Sequence, residues 1–191
     1  MSKIKEGYIR VTEILSQWDF FGHIDPMVLE RKRNIGTEVH MAIDADSNGV
    51  FMPINDSAQG YFNSYILWKE SGKKKLICNE QRLYCDKLKI TGAFDAIYQM
   101  GGDVPTMIDY KCSSKENPVI WPLQGTFYHY LAVKKNILVG EDLLFVRLQK
   151  DGSVAKEYRY KYSADLLDVC MNAYYTYINV YQRLNIKKPQ R

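Results

Sequence analysis

Residues 76–112 do most to restrict how this 191-residue chain can fold. The stretches 76–85, 88–99 and 105–112 are short and β-prone, and Gly101-Gly102-Asp103 between the last two is a hairpin turn signal. Such a run predicts a small antiparallel meander with helices on its flanks. The sequence on either side supplies the helices. Thr12 can cap a short helix carrying Ile14, Leu15 and Trp18. Asp25-Pro26 is a second helix start, a capping side chain followed by proline at the first helical position. Beyond it Met27, Val28, Ile35, Val39, Ala42 and Ile43 return at helical intervals, with Gly36 at a joint. Residues 46–57 read as a loop, and Ala58, Tyr61, Phe62, Tyr65 and Ile66 resume the helical spacing until Gly72.

After the meander come a helix from Val119 to Lys135, strands around 143–148 and 154–160, and a long helix from Ser163 to Leu184. In its last part Tyr174, Tyr177, Ile178 and Tyr181 form one packing stripe. This order predicts a mixed α/β fold with a central mixed sheet of about five strands flanked by helices. One domain is expected over 1–191: a helical part at 1–72, a sheet and helix at 73–135, and closing strands with a final helix at 141–186.

Composition removes several classes. With 46% hydrophobic and 13% aromatic residues the chain can close a core, so neither disorder nor a fibrous repeat is its main state. The 26 Lys and Arg against 22 Asp and Glu leave a net +4, a mild basic bias compatible with a polyanionic partner. Cys78, Cys85, Cys112 and Cys170 lack the spacing of a zinc knuckle or redox pair and read as reduced cytoplasmic thiols. No run approaches the roughly 18 apolar residues of a membrane span, and Met1-Ser2-Lys3 is not followed by a signal-peptide core, so no membrane contact is expected.

The chemistry concentrates where acids interrupt strands. Residues two apart on a strand share a face, so Asp109 and Lys111 project together, and a hairpin turning at Gly101-Gly102 folds Asp95 back towards Asp109. Two carboxylates and an ammonium then meet on one patch. Paired carboxylates repel unless a cation sits between them, and hard oxygen donors suit Mg²⁺ or Mn²⁺. A metal so held lowers the pKa of a bound water while the lysine offsets charge developing at phosphorus, which is phosphodiester hydrolysis chemistry. Taken alone, Asp-x-Lys is more often a surface ion pair beside a turn. Glu80 on the first strand can complete the acidic set. Gln124 and Tyr128, four apart on the following helix, share a face that can look onto it. His40, among Val39 and Ile43, fits either a core position or a metal ligand.

Together, His40, Glu80, Gly92-x-x-Asp95, Asp109-x-Lys111 and Gln124-x-x-x-Tyr128 resemble the PD-(D/E)XK nuclease superfamily. The nearest branch resembles the RecB-type exonucleases, which include the lambda exonuclease, CRISPR-associated exonucleases and the mitochondrial genome maintenance exonuclease. Arg10-Val11-Thr12-Glu13-Ile14-Leu15 and Gly36-Thr37-Glu38-Val39-His40 are similar to the Val-Thr-x-Ile-Leu and Gly-x-x-x-His segments of phage and mitochondrial members. The resemblance implies a restriction-endonuclease-like core. In it Asp95 and Asp109 bind Mg²⁺ or Mn²⁺, Lys111 is the catalytic lysine, and His40 and the main-chain carbonyl of Tyr110 are further ligands. Glu80 stands at the edge, and Gln124 and Tyr128 orient substrate and lysine. Some relatives hold an iron-sulfur cluster with three cysteines after the core; here only Cys170 follows Cys112, so no cluster is expected.

The implied partner is DNA, single-stranded or frayed at its ends, and the implied location is the cytoplasm of a bacterial or phage-infected cell. Arg31 and Arg33 (with Lys32), Lys74 in the Lys73–Lys75 run, and Lys115 are candidate phosphate contacts. Trp121, Tyr128 and Tyr61 are candidate base stackers. Nothing in the sequence reads bases, which favours a non-specific exonuclease, with a structure-specific endonuclease or a non-catalytic binding subunit as alternatives.

Overall fold

The computed structural model describes residues 4–18 and 25–184. Along the chain these form β1 (Ile9–Arg10), α1 (Val11–Leu15), a 3-10 turn (Ser16–Trp18), α2 (Pro26–Ser47), α3 (Asp56–Glu70), β2 (Lys75–Cys85), β3 (Ile90–Gln99) and β4 (Thr106–Lys111). Then follow α4 (Ile120–Lys134), β5 (Asp142–Arg147), β6 (Lys156–Lys161), α5 (Ala164–Tyr177) and a π-type stretch, Ile178–Arg183. The expected meander forms, β2 pairing antiparallel with β3 and β3 with β4. A parallel step joins β4 to β5, and β6 closes the sheet antiparallel to β5.

The sheet has six strands because β1 adds a parallel pair, Ile9 with Ile90 and Arg10 with Thr91. That strand interrupts the opening stretch read as helical, and it places Thr12 inside α1, with Arg10 in the capping position. At α2 the Asp25 carboxylate accepts from the Met27 amide at 2.7 Å, the cap that Asp25-Pro26 predicts. The expected joint at Gly36 does not exist, for α2 runs unbroken through it to Ser47 and the loop starts only at Asn48. Among the described residues no other element's atoms lie within 4 Å of a Cβ placed at Gly36, so the glycine answers no close packing by them.

Helices cover both faces. On one, α1, α4 and α5 bury Ile14, Phe127, Leu131 and Tyr177 against Phe94, Ile97 and Met107. On the other, α2 and α3 bury Val39, Tyr65 and Trp68 against Tyr98, Ile108 and Tyr110. Trp68 meets Tyr98 and Tyr110 edge to face, with ring centroids 5.5 and 5.7 Å away, and Tyr65 meets Tyr110 at 5.4 Å. Edge-to-face pairs of this kind are worth about 0.5–1.5 kcal/mol each beyond area burial. They fix β4 from below. Tyr174 and Tyr177 pack as expected, their hydroxyls donating to the Leu88 carbonyl (2.8 Å) and to Glu13 (2.6 Å). The Tyr181 side chain, Met1-Ser2-Lys3 and the segment after Leu184 lie outside the described residues. Among the described residues no helix is long and apolar enough to cross a membrane.

One helix contact makes a sharp prediction. A Cβ on Gly60 of α3 would lie 1.8 Å from the Lys150 carbonyl oxygen, a backbone atom that cannot swing aside. Gly60→Ala should therefore lever α3 off the 149–152 turn and destabilise the protein by about 1–3 kcal/mol or more, although alanine is the better helix former. Urea unfolding reads this directly. A midpoint equal to or above wild type would contradict it.

Candidate active site

One edge of β3 is left partly open, and the acids stand there. Strand β2 runs along one edge for nearly its full length. The other edge pairs with β1 only at Ile90 and Thr91, and with β4 only from Ala96 to Tyr98. Residues 92–95 are thus without a ladder partner on that side among the described residues. One step beyond the Ala96–Ile108 pair, the register would set Asp95 against Asp109. Instead the strands part, and the Tyr110 amide donates to the Asp95 carboxylate at 2.6 Å. A side chain takes the place of a strand carbonyl, which is how two acids come to stand inside a sheet without orphaning the backbone.

His40 reaches this gap from α2, its Nδ1 3.0 Å from Asp95 Oδ1. Lys111 forms an ion pair with Asp109 from two residues along β4, and the ammonium donates to Gln124 Oε1 at 2.9 Å. Gln124 Nε2 in turn donates to the Tyr128 hydroxyl at 2.8 Å. The spacing of four on α4 does what it predicts, placing both side chains on the face that meets β4. Glu80, between the Asn79–Ala96 and Gln81–Phe94 pairs, falls opposite Asp95 and lines a small cleft with His40, Ser47, Asn79 and Tyr110.

The electrostatics follow from burial and charge. Burial pushes Asp109 up to about 6, with Lys111 opposing the rise and Asp95 adding to it. Burial acts the same way on Asp95, yet the charge and hydrogen bond of His40, with Lys111 and the Tyr110 amide, outweigh it and hold this carboxyl below its ordinary value. For His40, burial favours the neutral ring, but the Asp95 charge and hydrogen bond prevail and raise its pKa. Tyr128 is raised by burial and then by the Asp109 charge, so it serves as a neutral phenol. Burial, then the nearby Asp95, likewise lifts Cys112 to about 12, which keeps it an inert thiol beside the site.

The remaining predicted residues separate. Arg31 and Arg33 are exposed on α2 ahead of His40, and Lys115 is exposed on the loop after Lys111. Lys74 stands away from the cluster, beyond the Lys75–Gln99 end of the meander, its ammonium 4.9 Å from the centre of the Trp68 ring. Trp121 is only 4% exposed, stacked on Phe145 at 5.4 Å and edge-on to Tyr158. It offers no free ring to a base, which corrects the stacking role expected of it. Tyr128 is also buried, with its hydroxyl occupied by Gln124. One contact the spacing could not give is that of Gly92: a Cβ there would lie 2.6 Å from Tyr128 Cε1.

Among the described residues no group of three or more His, Cys, Asp or Glu side chains forms a ready metal cage. The donors are nonetheless right in kind, carboxylate oxygens and one imidazole, and at present they engage each other or Lys111. Asp109 is raised by burial and by Asp95, a strain that a divalent cation would relieve.

No family model matches the sequence, and no curated protein matches it. Solved structures do. The alkaline exonuclease LHK-Exo from Laribacter hongkongensis superposes with a TM-score of 0.53 at 10% identity, over 93% of this chain and 89% of that one. The chain shares the fold of that structure. Its six-stranded mixed sheet with flanking helices is the restriction-endonuclease-like core that the order of polar residues resembles. A second structure, SSO0001, matches with a TM-score of 0.49 at 13% identity, over 98% of this chain and 81% of that one.

Proposed function

We propose that the chain hydrolyses DNA phosphodiester bonds as a divalent-metal-dependent, non-sequence-specific exonuclease acting on single-stranded or frayed ends. The observation that carries this reading is the convergence of Asp95, Asp109 and Lys111 at the opening in β3, with Gln124 and Tyr128 lined up behind the lysine. The exonuclease fold supports it.

Asp95, Asp109, His40 and the Tyr110 carbonyl would hold Mg²⁺ or Mn²⁺, with Glu80 at the edge of the shell. When bound, the ion supplies an acidified water and offsets negative charge at phosphorus. Lys111 places its ammonium where charge builds on the phosphate oxygens and keeps it there through Gln124. Gln124 cannot rotate away without losing the Tyr128 hydroxyl, so the lysine is held before substrate arrives. His40 fixes the orientation of the Asp95 carboxylate from one oxygen and the Tyr110 amide fixes it from the other. Arg31, Arg33 and Lys115 supply sequence-independent attraction for the backbone.

End-labelled single- and double-stranded DNA incubated with Mg²⁺, Mn²⁺ or EDTA tests the reading. Labelled ends should be lost with either ion and kept in EDTA, and closed single-stranded circles should survive. Cutting of circles would make the enzyme an endonuclease on the same core. Intact linear DNA in every condition would overturn the proposal.

A further inference from the structure

The registers beyond the catalytic strand place two more cations beside Lys111. In the parallel ladder Lys111 lies next to Arg147 of β5, and in the antiparallel ladder Arg147 lies next to Lys156 of β6. Residues in register on neighbouring strands share a face, so the three form one row across the end of the sheet. The next row in, Asp109, Phe145 and Tyr158, runs parallel to it. The ammonium of Lys111 stands 5.4 Å from the centre of the Phe145 ring, and the Arg147 guanidinium carbon 5.9 Å from that of Tyr158.

We infer that Arg147 and Lys156 extend the site into a track for the backbone phosphate adjacent to the bond being cut, on the sugar-phosphate chain of a single strand. This rests on the nuclease reading above. Like charges directly opposite one another in a sheet repel, a cost that a phosphate lying over the row would offset. Among the described residues neither Arg147 nor Lys156 has an acidic partner within ion-pair reach, whereas the nearby Arg159 is paired with Glu157 at 2.8 Å.

The Arg147 side chain is also held in a fixed pose. One terminal nitrogen donates to the Ser114 carbonyl, and its Nε is buried without a hydrogen-bond partner among the described residues. A buried, unpaired guanidinium N–H is costly, and an incoming phosphate oxygen is the acceptor that a planar fork binds best. The contact with Ser114 also ties down the loop that carries Lys115. A second tie, from the Tyr160 hydroxyl to Glu116, occupies an acid on the same loop. Two strand spacings of about 4.8 Å give the row a length near 10 Å, enough for more than one phosphate of a single strand.

The test is equilibrium binding of a fluorescently labelled single-stranded oligonucleotide in Ca²⁺, measured by anisotropy from low to high salt. Lys156→Ala should weaken binding about three- to tenfold and flatten the logarithmic salt slope by about 0.7, one phosphate contact. Arg147→Gln should weaken it tenfold or more. Lys161→Ala, an equal charge change at the far end of β6, should leave affinity and slope at wild-type values.

A scan with one uncharged methylphosphonate linkage per oligonucleotide should reveal a single position at which wild type loses affinity and Lys156→Ala loses no more. Unchanged slope and scan in Lys156→Ala would overturn the track. The outcomes separate cleanly: wild type that cuts DNA while both variants bind normally removes only the track, whereas wild type that neither binds nor cuts removes the nuclease reading as well.

Discussion

Lys111→Ala is expected to lower the single-turnover rate of DNA hydrolysis by two to four orders of magnitude with saturating Mn²⁺, and to change DNA affinity far less. The ammonium has three tasks that no neighbour can assume. It is paired with Asp109, it is the donor that Gln124 Oε1 accepts, and it is the cation that opposes the upward push of burial on Asp109. Without it Asp109 is left buried beside Asp95 with less compensation, so the variant should also melt lower. A thermal melt and a circular dichroism spectrum recorded alongside the kinetics separate loss of chemistry from loss of fold. Lys111→Arg restores the charge but not the compact point donor that Gln124 holds, and should recover stability more than rate. A Lys111→Ala protein that is folded and cuts within threefold of wild type would remove the lysine from the mechanism and with it the reading of the whole cluster.

How much of this could be read in advance depended on how local each signal was. The β2–β3–β4 meander was legible because its β-prone runs and the Gly101-Gly102-Asp103 turn signal all lie within one stretch of sequence. The Asp25-Pro26 cap and the Gln124–Tyr128 pair were legible for the same reason. What escaped depends on partners far along the chain. Strand β1 has two residues and exists only because Ile90 and Thr91 offer a free edge. Trp121 reads from the sequence as a candidate base stacker, but its partners Phe145 and Tyr158 lie on strands that reach it only after the crossover through α4. The row of Arg147 and Lys156 follows from the parallel register of β4 and β5, which no local pattern states. Gly36 misled for the opposite reason: a glycine in a helical pattern suggests a break, yet among the described residues no other element crowds the place of its Cβ and the helix runs on.

Gly92 joins fold and site most tightly, and Gly92→Ala is the second change with a large expected effect. A methyl there would lie 2.6 and 2.8 Å from two ring carbons of Tyr128 and 3.1 Å from Leu131 Cδ1. Neither neighbour can retreat, since Tyr128 is 5% and Leu131 0% exposed. If the ring gives way, the Gln124–Tyr128 bond breaks and Lys111 loses its support; if β3 gives way, Asp95 moves with it. Either route disturbs the cluster. The variant should lose about 1–3 kcal/mol of stability, a fall in melting temperature of roughly 2–12 °C, and its cleavage rate should drop by one to two orders of magnitude in protein that remains folded. The cause can be isolated with a double-mutant cycle. Removing the ring with Tyr128→Ala makes room for the methyl, so Gly92→Ala should cost much less stability in that background than in wild type. Tyr128→Phe keeps the clashing carbons and should leave the full cost in place. Equal costs in the Ala and wild-type backgrounds would mean that the glycine answers some other need of β3 than the approach of this ring.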